Sequence, residues 1–217
     1  MKSERQRKVF AAMGFLIAFA LWTAVVSFVD VRAIGPNGSY VGLAQLNGQV
    51  HRLTDVNMTL YRLTDGLSLV PVGLMLGFAC LGMWQWVKRR SLFAVDRSIV
   101  ALGVFYMVVL AAYAAFEMFV VNERPVLIEG VLEASYPSST TLLVLCVMPT
   151  AMMQFKIRIR STKIRWLTLA IMAVFTVLMV VLRLVSGVHW LSDIVGGVLL
   201  SAGLVLLYSA FADTNEA

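Results

Sequence analysis

The sequence predicts an all-α fold: a polytopic membrane protein built as a six-transmembrane-helix bundle. Three observations carry this prediction. The chain is 60% apolar and only 14% charged, whereas soluble domains are about half apolar and a quarter charged. Apolar stretches recur along it at lengths close to the roughly 20 residues that a helix needs to cross a hydrocarbon core of about 30 Å. Thirteen of the 18 Lys and Arg residues fall in the N-terminal tail and in alternate connections between those stretches, the asymmetry that orients membrane helices.

The expected helices follow in order. The first spans 9–29, behind a basic stretch holding Lys2, Arg5, Arg7 and Lys8. Its apolar run is too long for a signal peptide and no small-residue cleavage pattern follows it, so it reads as a retained helix. The others span 68–87, 98–121, 138–155, 166–185 and 190–211. The fourth is the shortest and contains Pro149, and Pro137 marks its start. Segment 30–67 reads as an outer loop with turn signals at Gly35-Pro36-Asn37-Gly38 and Asn47-Gly48. Its middle has the character of a short helix lying along the membrane surface. It also holds a short repeat, Arg52-Leu53-Thr54-Asp55 and Arg62-Leu63-Thr64-Asp65, read as two similar helix turns. Trp84, Trp86, Trp166 and Trp190 lie near span ends and are expected to be interface anchors. The whole chain, 1–217, reads as one membrane domain.

The formal charge of +6 does not indicate nucleic acid, because the basic residues sit in short runs between apolar spans. One set of connections carries Lys88, Arg89, Arg90, Arg97, Lys156, Arg158, Arg160, Lys163 and Arg165 beside the basic N-terminal stretch. The opposite side has only Arg32, Arg52, Arg62, Arg124 and Arg183. This places both termini in the cytoplasm and the sparsely basic side outside. Cys80 and Cys146 lie inside apolar runs, belong to no metal-ligand spacing and read as packing residues.

The outer side collects polar residues of a kind that membranes tolerate only for a reason. Arg124-Pro125 follows the third helix, Tyr136-Pro137-Ser138-Ser139-Thr140-Thr141 opens the fourth, and Arg183, His189 and Asp193 bracket the last turn. His189 and Asp193 are one helical turn apart and share a face. A carboxylate there can accept a hydrogen bond from one ring nitrogen, fixing the tautomer and freeing the other nitrogen to attack or to move a proton. Ser186-Gly187 permits the reversal that returns Arg183 to His189. Arginine suits phosphate because its planar fork donates paired, charge-assisted hydrogen bonds. Ser138 is placed to cap the fourth helix, whose N-terminus favours anions. Two arginines, a helix N-terminus and an oriented histidine together fit phosphoryl transfer.

These blocks resemble the three signature blocks of the type 2 phosphatidic acid phosphatase superfamily, the membrane lipid-phosphate phosphatases and their relatives. The resemblance covers the six-helix layout, and its third block, Arg183, His189 and Asp193, is the specific one. It implies that His189 is the nucleophile and Asp193 orients it. It also implies that Arg183 and Arg124 hold phosphate oxygens with Ser138, Ser139 and Thr140 at the same subsite, and that no metal or other cofactor takes part. The implied partners are the bilayer and a lipid phosphate or isoprenoid pyrophosphate, hydrolysed at the outer face of what is expected to be a bacterial cell membrane.

Two positions depart from the family pattern. Glu117 stands where the first block usually has Lys, and Thr140 stands where the second block usually has the general-acid His. General-acid help is commonly worth about 10²–10⁴-fold. A pyrophosphate, with its better leaving group, needs that help less. His51, Glu129 and Glu133 lie on the same side as alternative proton donors, and Glu117 can pair with Arg124 or Arg183 or meet a cationic head group. The alternative reading is a relative that binds a lipid phosphate with weak turnover or none. A transporter is disfavoured, because the chain shows no clear internal repeat.

Overall fold

The computed structural model describes residues 2–212; Met1 and residues 213–217, the two ends of the expected domain, lie outside the described residues. Helix α1 (Lys2–Phe28) leads to a two-stranded antiparallel hairpin, β1 (Arg32–Ala33) and β2 (Tyr40–Val41), paired Arg32 with Val41 and Ala33 with Tyr40. Two short helices follow, α2 (Ala44–Thr54) and α3 (Met58–Leu67). The long helices are α4 (Leu69–Arg89), α5 (Arg97–Met118), α6 (Ser139–Arg158), α7 (Thr162–Val185) and α8 (Leu191–Ala212). Among the described residues six stretches are long and apolar enough to cross a membrane, with α3 and α4 counted as one continuous span, Met58–Arg89. The protein is a multi-pass integral membrane protein with the expected six-helix bundle.

Helices α6 and α8 form its centre. More than half of the most apolar window of each is buried, against less than a third for the other four spans. Helix α1 packs along α8, and α6 packs against both α7 and α8. The outward faces of α1, α4, α5 and α7 keep Phe10, Leu76, Met107, Ile171 and Val177 exposed, as lipid-facing surfaces require. Buried Tyr136 fills the centre near the loop-rich end. Its ring stacks on Phe19 at 6.1 Å, and its hydroxyl is 2.7 Å from Thr23 Oγ1. At the other end, Asp96 caps the bundle. Burial alone would raise its carboxyl. Hydrogen bonds from Arg89 and Gln85, with the charges of Arg89 and Arg158, hold it below the ordinary carboxylate range.

Three departures from the expected layout shape the site. Segment 30–67, expected as an outer loop with a short helix in its middle, is folded throughout: it forms the hairpin, α2 and α3, and α3 runs almost directly into α4. It is held by buried polar contacts. Asn47 donates to Gly42 O and Ser192 Oγ and accepts from Ser192 N, at 2.8, 2.9 and 3.1 Å. Gly42 lies so close to α1 that a Cβ there would sit 1.5 Å from Val26 O. The third long helix stops at Met118 rather than 121, because the chain turns to bring Asn122 inward, where its Oδ1 accepts from Gly42 N at 3.1 Å. Trp190 is no interface anchor. It is 2% exposed and donates from Nε1 to Glu123 O at 2.7 Å, whereas Trp84, Trp86 and Trp166 are exposed. The two Arg-Leu-Thr-Asp repeats fall in different settings, one closing α2 and the other inside α3.

Candidate active site

The turn between α7 and α8 carries the centre of the site. Gly187 has φ +67°, and a Cβ there would lie 1.8 Å from Asp55 O, so the turn is possible only for glycine. Ser186 O accepts from Asn57 N at 3.0 Å, which ties the turn to the start of α3. This holds Arg183 in the last turn of α7 and His189 just before α8, buried at 1% and 3% exposure.

Each nitrogen of His189 has a defined neighbour. Nε2 lies 3.3 Å from Arg124 Nη1. Nδ1 lies 2.9 Å from Ser135 Oγ. Asp193 Oδ2 is 3.8 Å from Nδ1, beyond hydrogen-bond reach. The Ser135 hydroxyl bridges the gap, donating to Asp193 Oδ2 at 2.5 Å. The Asp193 carboxylate also accepts from Trp190 N at 2.9 Å, Ser192 Oγ at 3.2 Å and Asn122 Nδ2 at 3.4 Å. Burial holds the His189 imidazole down to about 4. Asp193 opposes that shift, and the Arg124 and Arg183 guanidiniums reinforce it. The ring is therefore neutral at pH 7.

Both arginines are buried, and Arg124 lies directly against the ring. Arg124 is held by a hairpin-like loop in which its N–H donates to Glu133 O at 3.0 Å and Glu123 bridges to Ala134. Its Nε is 3.0 Å from Glu133 Oε2 without being aimed at it. Arg183 Nη1 donates to Thr64 Oγ1 at 3.2 Å, and its Nε has no partner. The Tyr61 ring lies 4.8 Å from the Arg183 guanidinium and 6.0 Å from that of Arg124, so one aromatic face serves both cations. Two buried cations with unspent donors form an incomplete set that an anion completes.

Ser138 caps α6. Its Oγ accepts from Thr141 Oγ1 at 3.1 Å and from Thr141 N at 3.5 Å, and its own N–H donates to Asp193 O at 3.1 Å. Ser139 and Thr140 do not bond the His189 cluster. They line a groove of about 440 Å³ whose polar mouth also holds Asp65, Ser68 and Tyr113 and whose walls are apolar residues of α4, α5 and α6. The structure thus joins His189 directly to Arg124 and to Asp193 through Ser135, and Tyr61 lies between the guanidiniums of Arg124 and Arg183. Ser138, Ser139 and Thr140 sit at the adjoining helix mouth.

Glu133, not Glu117, is the carboxylate at Arg124. Glu117 lines a small recess with Tyr113, Ser135, Pro137 and Ser139. His51 packs 5.3 Å from the Trp190 ring in a separate cavity with Arg32, Gln45 and Arg52, outside the cluster. Burial lowers its basicity, against Asp55. Glu129 sits in the tip of the loop before Gly130 at φ +51°. Among the described residues no group of three or more His, Cys, Asp or Glu is placed to hold a metal. Ser135, Asn122, Tyr61 and Thr64 are site residues that the sequence did not single out. Ser135, two residues before Pro137, had only its nearness to a marked block as a signal.

A family profile described as the PAP2 superfamily matches residues 97–217. The chain belongs to the PAP2 superfamily. That match covers α5 to α8, which carry His189, Asp193, Arg183 and the α6 mouth, and leaves α1 to α4 outside it. No curated protein matches the chain by sequence. Among solved structures, the fold is similar to that of a transmembrane PAP2-type phosphatidylglycerolphosphate phosphatase from Bacillus subtilis. The TM-score is 0.59 at 17% identity, and the alignment covers 94% of this chain and 96% of the other. At that identity the likeness speaks for the fold, and it extends the PAP2 architecture over α1 to α4.

Proposed function

We propose that this PAP2 protein is a metal-independent membrane phosphatase that hydrolyses lipid phosphates or isoprenoid pyrophosphates through His189. The observation that carries the reading is a neutral, buried imidazole against the Arg124 guanidinium and within the electrostatic reach of Arg183, two buried cations whose donors are not all used. A phosphate entering that space draws Arg124 and Arg183 onto its oxygens and releases Nε2 from Arg124. The Nε2 lone pair then attacks phosphorus in line as the bond to the leaving oxygen breaks, and that oxygen takes a proton from solvent, because Thr140 supplies no acid. Water then attacks the phosphohistidine, releases phosphate and returns the lone pair to Nε2. The arginines stabilise charge on the equatorial oxygens, the largest contribution in such reactions.

The groove beside Ser139 and Thr140 supports a lipid substrate. Its apolar walls between α4 and α5 continue into a larger apolar cleft that shares Met75, Leu76 and Leu110. A head group at the α6 mouth thereby keeps its chains against apolar side chains. The charge asymmetry supports both termini in the cytoplasm, the site at the outer face of the cell membrane, and one membrane domain as the working unit.

Thr140 supports a second reading. It is buried, lines the groove and carries no acid, so a chain that binds lipid phosphate with weak turnover has a physical basis. The test is phosphate release by purified protein in liposomes, offered phosphatidic acid, phosphatidylglycerol phosphate and undecaprenyl pyrophosphate beside a His189→Ala control. Release abolished in the control is expected, with pyrophosphate favoured if the leaving group compensates for Thr140. Binding without release on any of the three overturns the hydrolase reading for these substrates in favour of the second.

A further inference from the structure

The hydrogen-bond polarity around His189 is fixed at both ends. Arginine has donors and no acceptor, so Nε2, 3.3 Å from Arg124 Nη1, accepts. A neutral imidazole with an accepting Nε2 carries its proton on Nδ1. At the far end the Asp193 carboxylate can only accept, so the Ser135 hydroxyl, 2.5 Å from Oδ2, donates to it. One arrangement satisfies both ends: Nδ1–H donates to Ser135 Oγ over 2.9 Å, and Ser135 O–H donates to Asp193 Oδ2.

Neither partner is free to bypass the hydroxyl. Asp193 Oδ2 is held by Trp190 N, and Oδ1 by Ser192 and Asn122. Ser135 is itself fixed: it is 2% exposed and its N–H donates to Asn122 O at 2.9 Å. The Glu123–Ala134 bridge continues that register into the loop holding Arg124. A single strand-like connection therefore sets both contacts of the histidine ring, Arg124 on Nε2 and Ser135 on Nδ1.

We propose that Ser135 is a positioning residue that transmits the hold of Asp193 to His189, making the orienting unit a serine-bridged triad rather than a histidine–aspartate pair. Its chemical consequence rests on the phosphatase reading. As phosphorus bonds to Nε2 the imidazole becomes cationic, and the Ser135 oxygen, polarised by Asp193, meets the charge at Nδ1–H. The hydroxyl touches neither phosphate nor leaving group, so its loss should act on turnover more than on substrate affinity. Outer partners that orient metal-ligating imidazoles are worth about 10–100-fold, and the same scale is expected for a partner that orients this ring.

The test separates the triad from the reaction. The chain has two histidines, so ¹⁵N-histidine labelling with His51→Gln leaves the ring of His189 alone in the NMR spectrum of the ligand-free protein in detergent. A protected, downfield Nδ1–H proton is expected for the parent. It should be lost in Ser135→Ala and Ser135→Gly, which both remove the hydroxyl but differ in volume, and regained in Ser135→Thr. On whichever substrate is hydrolysed, Ser135→Ala should lower kcat about 10–100-fold with KM within about threefold. A Ser135→Ala protein that keeps the protected Nδ1–H and loses it only on further Asp193→Ala replacement overturns the proposal, because His189 and Asp193 then bond directly. The NMR outcome stands even if no tested lipid is hydrolysed, so a failure of the triad and a failure of the phosphatase reading are told apart.

Discussion

Gly187→Ala tests whether the α7–α8 turn is what places His189. Two costs are separable in the structure. Alanine at φ +67° is in the left-handed region, which costs an L-residue about 1–2 kcal/mol. The added Cβ would also start 1.8 Å from Asp55 O, and reaching even a tight 3.0 Å contact requires the turn or the α2–α3 connection to move by roughly 1.2 Å. That movement strains the Asn57 N–H to Ser186 O bond, worth about 1 kcal/mol. The sum is about 2–3 kcal/mol, or about 4–12 °C in Tm for a chain of this size. His189 is two residues on, and a displacement near 1 Å is expected to lower turnover by about 100-fold. Gly38→Ala is the control: φ is +76° with nothing within 4 Å of the added Cβ, so it incurs the dihedral cost alone and leaves activity intact. Thermal unfolding in detergent and phosphate release on the best substrate read the two effects. Equal Tm and equal activity for the two variants would refute the steric argument.

Two further predictions concern the chemistry. His189 in the ligand-free protein should stay neutral from pH 7 down past 6 and titrate near 4, read by ¹⁵N NMR. Because its folded value lies below the unfolded value of about 6.5, the unfolded chain takes up the proton first, so this group removes stability as pH falls from about 6.5 to about 4; a midpoint at or above 6.5 contradicts the burial argument. Thr140→His places an imidazole at the groove mouth beside Ser139 and Tyr113 and should raise kcat on a phosphate monoester by at least about tenfold. Its effect on a pyrophosphate should be smaller, and equal gains on both would remove the leaving-group explanation.

The membrane layout was legible because its signals are local. An apolar run must be long enough to cross the bilayer, and basic connections must alternate, wherever the rest of the chain goes. Four of the six spans end within a few residues of their sequence-based limits; the first begins earlier, within the basic stretch, and the second continues from α3. Much of the candidate site was legible for a similar reason. Arg183, His189 and Asp193 are close in sequence, one turn and two helix ends, and an ionisable residue there stands out against an apolar background. The helix start at Ser138 was marked by Pro137. The burial of Trp190 is not legible in the sequence, because an aromatic residue at a span end looks the same whether it faces lipid or a loop; only the approach of Glu123 O decides it.

What the sequence by itself determined is the number of membrane helices, the end of the bundle that gathers the polar blocks, and the residue types able to hold a phosphate. Only the tertiary structure decided which hydroxyl stands between His189 and Asp193, which aromatic ring lies against the two arginines, and which carboxylate meets Arg124. Ser135 lies 58 residues from Asp193, and Thr64 lies 119 from Arg183. Serine, threonine and tyrosine are common and tolerated in many settings, so no local rule marks them. Their roles come from burial, which removes water as an alternative partner and makes each remaining donor and acceptor find the other.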